Sequence, residues 1–228
     1  MIIGLSGLAG SGKDTIANFF AEKHGFVRES FADALKDATS AIFSWPRELL
    51  EGDTNESRKW REEVDPYWSA KFGYAITPRT MLQQFGTNIC REHLNDDIWI
   101  NCTEKKIQSN QKNRLDTIIT DVRFPNEVKM IRNAGGRVFC VKRGPDPDWW
   151  NLAIKANSYQ PTKTDFSKKT DFEHISNMLE INHNLHISEW AWVGTSFDSV
   201  INNDSTIDAL EDKVTNLLAV YDFFGKDI

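Results

Sequence analysis

The stretch that most constrains this chain is residues 1–15, Met-Ile-Ile-Gly-Leu-Ser-Gly-Leu-Ala-Gly-Ser-Gly-Lys-Asp-Thr. An apolar run over residues 2–5 reads as a buried strand. A turn carrying Gly7, Gly10 and Gly12 follows it, and Ile16, Phe19 and Phe20 then recur at roughly helical spacing. Within this, Gly7-x-x-x-x-Gly12-Lys13 fits the Walker A phosphate loop, with one departure: Asp14 stands where a hydroxyl residue usually follows the lysine, and Thr15 comes one place later. Successive backbone N–H groups can wrap a phosphate only where no Cβ blocks the turn, which accounts for the glycines. The following helix N-terminus adds partial positive charge, and Lys13 adds a mobile full charge. A bare glycine turn without a ligand is the alternative, but the strand before and helix after are those a phosphate loop requires.

At 228 residues the chain can form one sizeable core with small insertions. A formal net charge of −6 argues against nucleic-acid binding through a broad basic surface. Cys90, Cys102 and Cys140 are dispersed and not spaced as metal ligands, so they read as reduced, mostly buried thiols of a cytoplasmic protein. The five histidines are too scattered to argue for a metal site. There is no apolar run of about 18 residues and no basic segment ahead of the first apolar stretch, so neither a membrane span nor a signal peptide is expected. Most of the eight tryptophans, including Trp45, Trp60, Trp68, Trp149 and Trp150, read as core, with base stacking as the alternative.

Further along, Ser30 reads as the cap of a second helix. Residues 45–76 mix prolines, glycines, charges and aromatic residues, and read as a partly helical insertion. Thr77-Pro78 is a strong helix start. Beyond it Met81, Leu82, Phe85 and Ile89 form an apolar stripe, while Arg79, Gln83, Gly86 and Thr87 share a neighbouring face. A glycine there costs about 1 kcal/mol against alanine. Something therefore comes close to the backbone at Gly86: either a ligand, or another helix packed against a solvated face.

Residues 115–122 read as a strand ending at Asp121, followed by Arg123 and by a helix that starts at Pro125 and carries Glu127 in its first turn. That helix stops at Gly135-Gly136, and residues 137–142 form the next strand. This is a βαβ unit, so the sheet is largely parallel, and ligands gather at its carboxyl ends, where Asp121, Arg123 and the phosphate loop all lie. Asp121 can hold Mg²⁺ directly or through water, or can simply cap the turn. Residues 144–177 are polar, with a basic cluster at Lys163, Lys168 and Lys169, and read as a loop or mobile lid. A strand at residues 199–201, a turn at Asn202-Asn203-Asp204 and a helix over 206–221 complete the chain.

These pieces together resemble the bacteriophage deoxynucleoside monophosphate kinases, a branch of the phosphate-loop kinases. The matching stretches are residues 7–15, Phe-Ala-Asp-Ala-Leu-Lys at 31–36, Thr-Pro-Arg-Thr-Met-Leu-Gln-Gln-Phe-Gly-Thr at 77–87 and Asp-Asp-Ile-Trp at 96–99. To these are added Thr-Asp-Val-Arg-Phe-Pro-Asn-Glu at 120–127, His-Ile-Ser-Glu at 186–189 and Ile-Asn-Asn-Asp at 201–204. The resemblance runs from end to end and is weaker in the insertion and the lid. It implies a three-layer α/β phosphate-loop kinase fold, with a mostly parallel sheet and helices on both faces, in a single domain. The core would comprise residues 1–44, 77–143 and 178–228, with a substrate-side insertion at 45–76 and a lid at 144–177.

The resemblance further implies transfer of the γ-phosphoryl group of ATP to a deoxynucleoside 5′-monophosphate (dNMP), with Mg²⁺. It implies a small-molecule substrate without nucleic acid or membrane partners, and location in the cytoplasm, the host's if the chain is phage-encoded; it also leaves room for a homodimer. Lys13 and the backbone of Gly10, Ser11, Gly12, Asp14 and Thr15 would hold the ATP phosphates, with Asp14 or Thr15 at the metal and Asp121 behind it or on the substrate. Arg79, Gln83, Gly86, Thr87, Trp99, Asp121, Arg123 and Glu127 would form the monophosphate pocket, with arginines on the phosphate and Gln83 and Trp99 on the base. Lys36 would add charge near the acceptor. Arg143 and the lid lysines would close over ATP, and Asn202-Asn203 would line the adenine. A kinase for another phosphorylated acceptor, of the phosphomevalonate or dephospho-coenzyme A type, is the nearest rival. A nucleotide-binding switch or assembly ATPase is a more distant one.

Overall fold

The computed structural model describes residues 1–159 and 166–224, with side chains for all of these except 166–169 and 222–224. In chain order the elements are β1 (Ile2–Ser6), α1 (Lys13–His24), β2 (Val27–Glu29), α2 (Asp33–Phe43), α3 (Asn55–Glu62), α4 (Pro66–Phe72) and α5 (Pro78–Gln83). A π-helix (Gln84–Leu94) continues from α5. Then come α6 (Ile98–Lys112), β3 (Thr117–Ile119), α7 (Pro125–Asn133), β4 (Arg137–Lys142), α8 (Trp150–Ser158), α9 (Phe166–His183), β5 (Ser199–Asn202) and α10 (Ile207–Phe224). The chain divides into two compact units, one of residues 1–28 and 113–228, the other of residues 29–112.

The first unit is built around the sheet, ordered β2-β3-β1-β4-β5, with β1 parallel to β3 and β4, and β4 parallel to β5. Because strand side chains alternate, β1 sends Ile3 and Leu5 to one face, where they pack with Ile16 and Phe20 of α1 and Leu210 and Val214 of α10. Gly4 faces the other way, and a Cβ on it would come 2.6 Å from Cδ1 of Ile131 on α7. Helices thus cover both faces, and β1, fully buried, is the central strand. A second core in this unit gathers Trp190, Trp192, Leu179 and Ala153. The β3 strand is shorter than the 115–122 run suggests, but Val122 N–H still donates to Leu5 O at 3.1 Å, so the chain beyond β3 stays alongside β1.

The second unit is helical, with no sheet core in the 45–76 segment, and its apolar centre is Phe43, Trp45, Leu50, Ile76 and Met81. Thr77 caps α5 as its sequence indicates, accepting from Thr80 N–H at 3.1 Å, and Pro78 occupies the first turn. Ser30 does not cap α2; its hydroxyl accepts from Ala32 N–H, and the helix begins at Asp33.

The stripe beyond Thr77 needs correction. From Gln84 the helix adopts the wider π pitch, so the buried positions become Gly86, Cys90 and Arg91, and Ile89 is 45% exposed. A spacing of 3.6 residues per turn places Ile89 inward; a wider turn moves the inward position one residue on. Cys90 and Cys140 are buried free thiols and Cys102 is an exposed one. Among the described residues no helix is long and apolar enough to cross a membrane.

Candidate active site

Two features of the sheet mark one place in the first unit. The connection leaving β1 runs to β2 at one edge, and that leaving β4 runs to β5 at the other, so a crevice opens beyond the carboxyl ends of β1 and β4. Residues 7–12 fill the start of it. Gly7 (φ 142°) lies so close to β4 that a Cβ would collide with the Val141 carbonyl. Gly12 (φ 102°, ψ 15°) is the left-handed residue that opens α1, and no side chain caps the helix. A Cβ there would collide with Nδ2 of Asn203. Only glycine satisfies both positions. The first turn of α1 therefore presents backbone N–H groups that no side chain of the cap residue has taken.

Lys13 follows directly. Its ammonium donates to the carbonyls of Gly7 and Leu8, each at 2.8 Å, curling back over the loop. Burial first, and the nearby Arg123 guanidinium second, pull its pKa down to about 8, against the attraction of Asp14 and Asp121. Lys13, Arg123, Asp14 and Asp121 thus share one electrostatic neighbourhood. Cys140, opposite Ser6 in the β1–β4 register, feels Lys13 too, but burial pushes its thiol up to about 11, so it stays protonated.

Around this centre the other residues of the first unit are placed as follows. Asp14 is exposed and paired with Arg28 at 3.1 Å, while Thr15 is exposed on the same turn of α1. Ser11 is buried, and its hydroxyl finds no partner. Asp121 sits two residues past β3, half-buried. Arg123 is exposed, with a guanidinium nitrogen 3.5 Å from the carbonyl of Ser188. Glu127 is 2% exposed, and its carboxylate accepts the backbone N–H groups of Arg123 at 2.7 Å and Phe124 at 3.0 Å, so it ties the start of α7 to the Arg123 backbone. Arg143 is exposed just after β4. Asn202 ends β5, and its carbonyl accepts from Lys213 at 2.7 Å. Lys163 lies outside the described residues, as do the side chains of Lys168 and Lys169.

Sequence reasoning named two residues here only loosely. Asn203 Nδ2 donates to Ser11 O at 2.8 Å, joining the loop after β5 to the glycine turn. His186 accepts the Ser188 N–H through Nδ1 and so shapes the short 3₁₀ turn whose Ser188 carbonyl faces Arg123. Burial lowers the His186 pKa to about 4, which keeps the ring neutral as that hydrogen bond requires.

In the second unit, Arg79 is paired with Glu62 at 2.9 Å. Lys36 is paired with Glu51 at 2.6 Å, and Glu51 also meets Arg47; both partners hold the Glu51 carboxyl below its usual range against the effect of burial. Gln83 and Thr87 are half-buried. The close neighbour at Gly86 is Leu35, whose Cδ2 would lie 2.6 Å from a Cβ on that glycine. Trp99 is buried, with its indole N–H given to the Gly86 carbonyl at 2.8 Å. Of the two readings of Gly86, the packed neighbour is the one seen in this unit. Arg79, Gln83 and Thr87 are each partly exposed on this stripe.

A glycine loop at the carboxyl end of the central parallel strand, leading through an inturned lysine into a helix with no side-chain cap, is the geometry of a phosphate-binding loop. A family model described as deoxynucleotide monophosphate kinase matches residues 67–148. A protein of Acanthamoeba polyphaga mimivirus assigned as a deoxynucleotide monophosphate kinase is 34% identical, over 63% of this chain and 74% of its own. The chain belongs to the deoxynucleotide monophosphate kinase family. The deoxynucleoside-5′-monophosphate kinase of Escherichia phage T5 is 27% identical over 58% of this chain and 72% of its own. Among solved structures, the dephospho-CoA kinase from Campylobacter jejuni aligns over 96% of this chain and 95% of its own at 14% identity and a TM-score of 0.43, too distant to carry weight.

Proposed function

We propose that the chain transfers the γ-phosphoryl group of ATP to a deoxynucleoside 5′-monophosphate. The observation that carries this reading is the phosphate loop with its half-buried Lys13, in a chain of this family. An oxygen of the acceptor phosphate attacks the γ-phosphorus, the bond from γ-phosphorus to the bridging oxygen breaks, and ADP and the deoxynucleoside diphosphate leave. The attacking oxygen is largely ionised near neutral pH, since its second pKa is about 6, so no general base is required. What the reaction needs is alignment and positive charge.

On this reading the backbone N–H groups of Gly10, Ser11, Gly12, Lys13, Asp14 and Thr15 hold the β- and γ-phosphates. Lys13 leaves the carbonyls of Gly7 and Leu8 to follow the charge that builds on the transferring group, and Arg123 adds a second cation beside it. Arg79 binds the acceptor phosphate, with Lys36 adding charge; Gln83 and Thr87 meet the nucleoside, and Trp99 and Glu127 hold their neighbours in position. Arg143 and Asn202 border the nucleotide. Mg²⁺ would be carried mainly by the nucleotide phosphates, with one or two protein oxygens from Asp14, Thr15 or Asp121. Mg²⁺ bound there would offset phosphate charge.

The test is ATP consumption against a panel of dNMPs, ribonucleotides and other phosphorylated acceptors, with Lys13→Ala alongside. The expected result is turnover with one or more dNMPs, falling by about 100-fold or more in the folded variant. No turnover with any dNMP overturns the reading.

A further inference from the structure

We propose that Asn203 is a positioning residue for the phosphate loop, acting through the Ser11–Gly12 peptide and not by touching the base. The proposal rests on the reading of residues 7–15 as the ATP-phosphate site. Asn203 is the first residue past β5. Its backbone N–H donates to Lys142 O at 2.7 Å, continuing the β4–β5 pairing by one step and fixing its Cα. From that anchor the side-chain amide reaches Ser11 O at 2.8 Å, across 192 positions of sequence. It lies over the Cα of Gly12, where any Cβ would strike it.

The consequence follows from peptide geometry. In a planar trans peptide the C=O and the next N–H point in opposite directions. Holding the Ser11 carbonyl toward Asn203 therefore turns the Gly12 N–H the other way. A loop that binds phosphate must show its N–H groups to the anion and keep its carbonyls back, because an inward carbonyl repels phosphate oxygen. Gly12, at φ 102° with no side chain and no side-chain cap, is the residue where the peptide is freest to flip. Ser11 cannot restrain it, because its own hydroxyl is buried without a partner. Asn203 supplies the restraint from outside the loop.

The experiment uses full-length protein with Asn203→Ala, which removes the donor, and Asn203→Asp, which keeps the shape but sets a carboxylate against the Ser11 carbonyl. Binding is measured for ATP and for inorganic tripolyphosphate, which has no base. For Asn203→Ala, Kd should rise roughly five- to tenfold for both ligands alike, the equivalent of one hydrogen bond, and more for Asn203→Asp. The KM of the acceptor at saturating ATP should stay put, and the Gly12 amide resonance of the ligand-free protein should shift. Loss for ATP alone would make Asn203 a base contact. Loss for both without a shift at Gly12 would make it a direct phosphate contact, and no loss would make it structural; each overturns the proposal. If wild-type protein binds neither ligand, it is the phosphate-site reading that has failed instead. Should Asn203→Ala not fold, Asn203→Asp, matched in volume, carries the same test.

Discussion

The indole N–H of Trp99 donates to the backbone carbonyl of Gly86 across 2.8 Å, with both residues buried. Gly86 lies near the start of the π-helix and takes Leu35 against its Cα, so this bond holds a helix of unusual pitch where Leu35 packs closely on it. Trp99→Phe retains a ring but leaves a buried carbonyl short of a partner. Unfolding in denaturant should show a loss of about 1–3 kcal/mol. The acceptor KM should change little; a large KM change with stability intact would return Trp99 to the base.

Lys13 leads to a measurable proton balance. In the free protein its pKa is about 8, lowered by burial and by Arg123. A bound triphosphate supplies negative charge that favours the ammonium, so at pH 8 nucleotide binding should take up about half a proton, falling toward zero at pH 6.5. Calorimetry in two buffers of different ionisation enthalpy reads this directly, and Lys13→Met should abolish it. The stability link has the matching sign. The unfolded lysine, near 10.5, holds its proton longer than the folded one, so this group's penalty on the free protein fades as pH rises from about 8 toward 10.5.

His186 should make the protein acid-sensitive. Its folded pKa is about 4, against an ordinary value of 6.5. The unfolded chain therefore binds the extra proton first, and stability falls as pH drops through the window from about 6.5 to 4. His186→Asn keeps an acceptor for the Ser188 N–H but does not titrate. Thermal melts at pH 7.5 and 5.0 should show a smaller drop for the variant, and equal drops would remove His186 from the account.

How much of this could be read from residue order depends on how far apart the interacting groups lie. The loop, α7 and β4 were legible because each is specified by its own residues: the glycines at 7, 10 and 12, Pro125 at a first turn, Gly135-Gly136 at a stop. Thr77-Pro78 was legible for the same reason, and Thr80 completes its cap. The face beyond Gln83 was not, because an apolar pattern cannot signal a change of helical pitch, and Ile89 went to the wrong side. Leu35 against Gly86, and Asn203 against Ser11, join distant parts of the chain that carry no mutual mark in sequence. Glu127 stood in plain view as an acid in the third position of a helix, but Phe124 ahead of it lacks the hydroxyl that normally advertises such a pairing.

On the proposed role of Arg79 at the acceptor phosphate, its ion pair with Glu62 carries a consequence for discrimination. A guanidinium already matched by a carboxylate is partly neutralised, so an incoming anion competes with one negative charge for it. A singly charged visitor such as chloride or a carboxylic acid merely trades like for like. A phosphate monoester in its doubly ionised form brings more charge than the carboxylate it competes with, so on that role the arrangement would sort visitors by valence before shape is consulted.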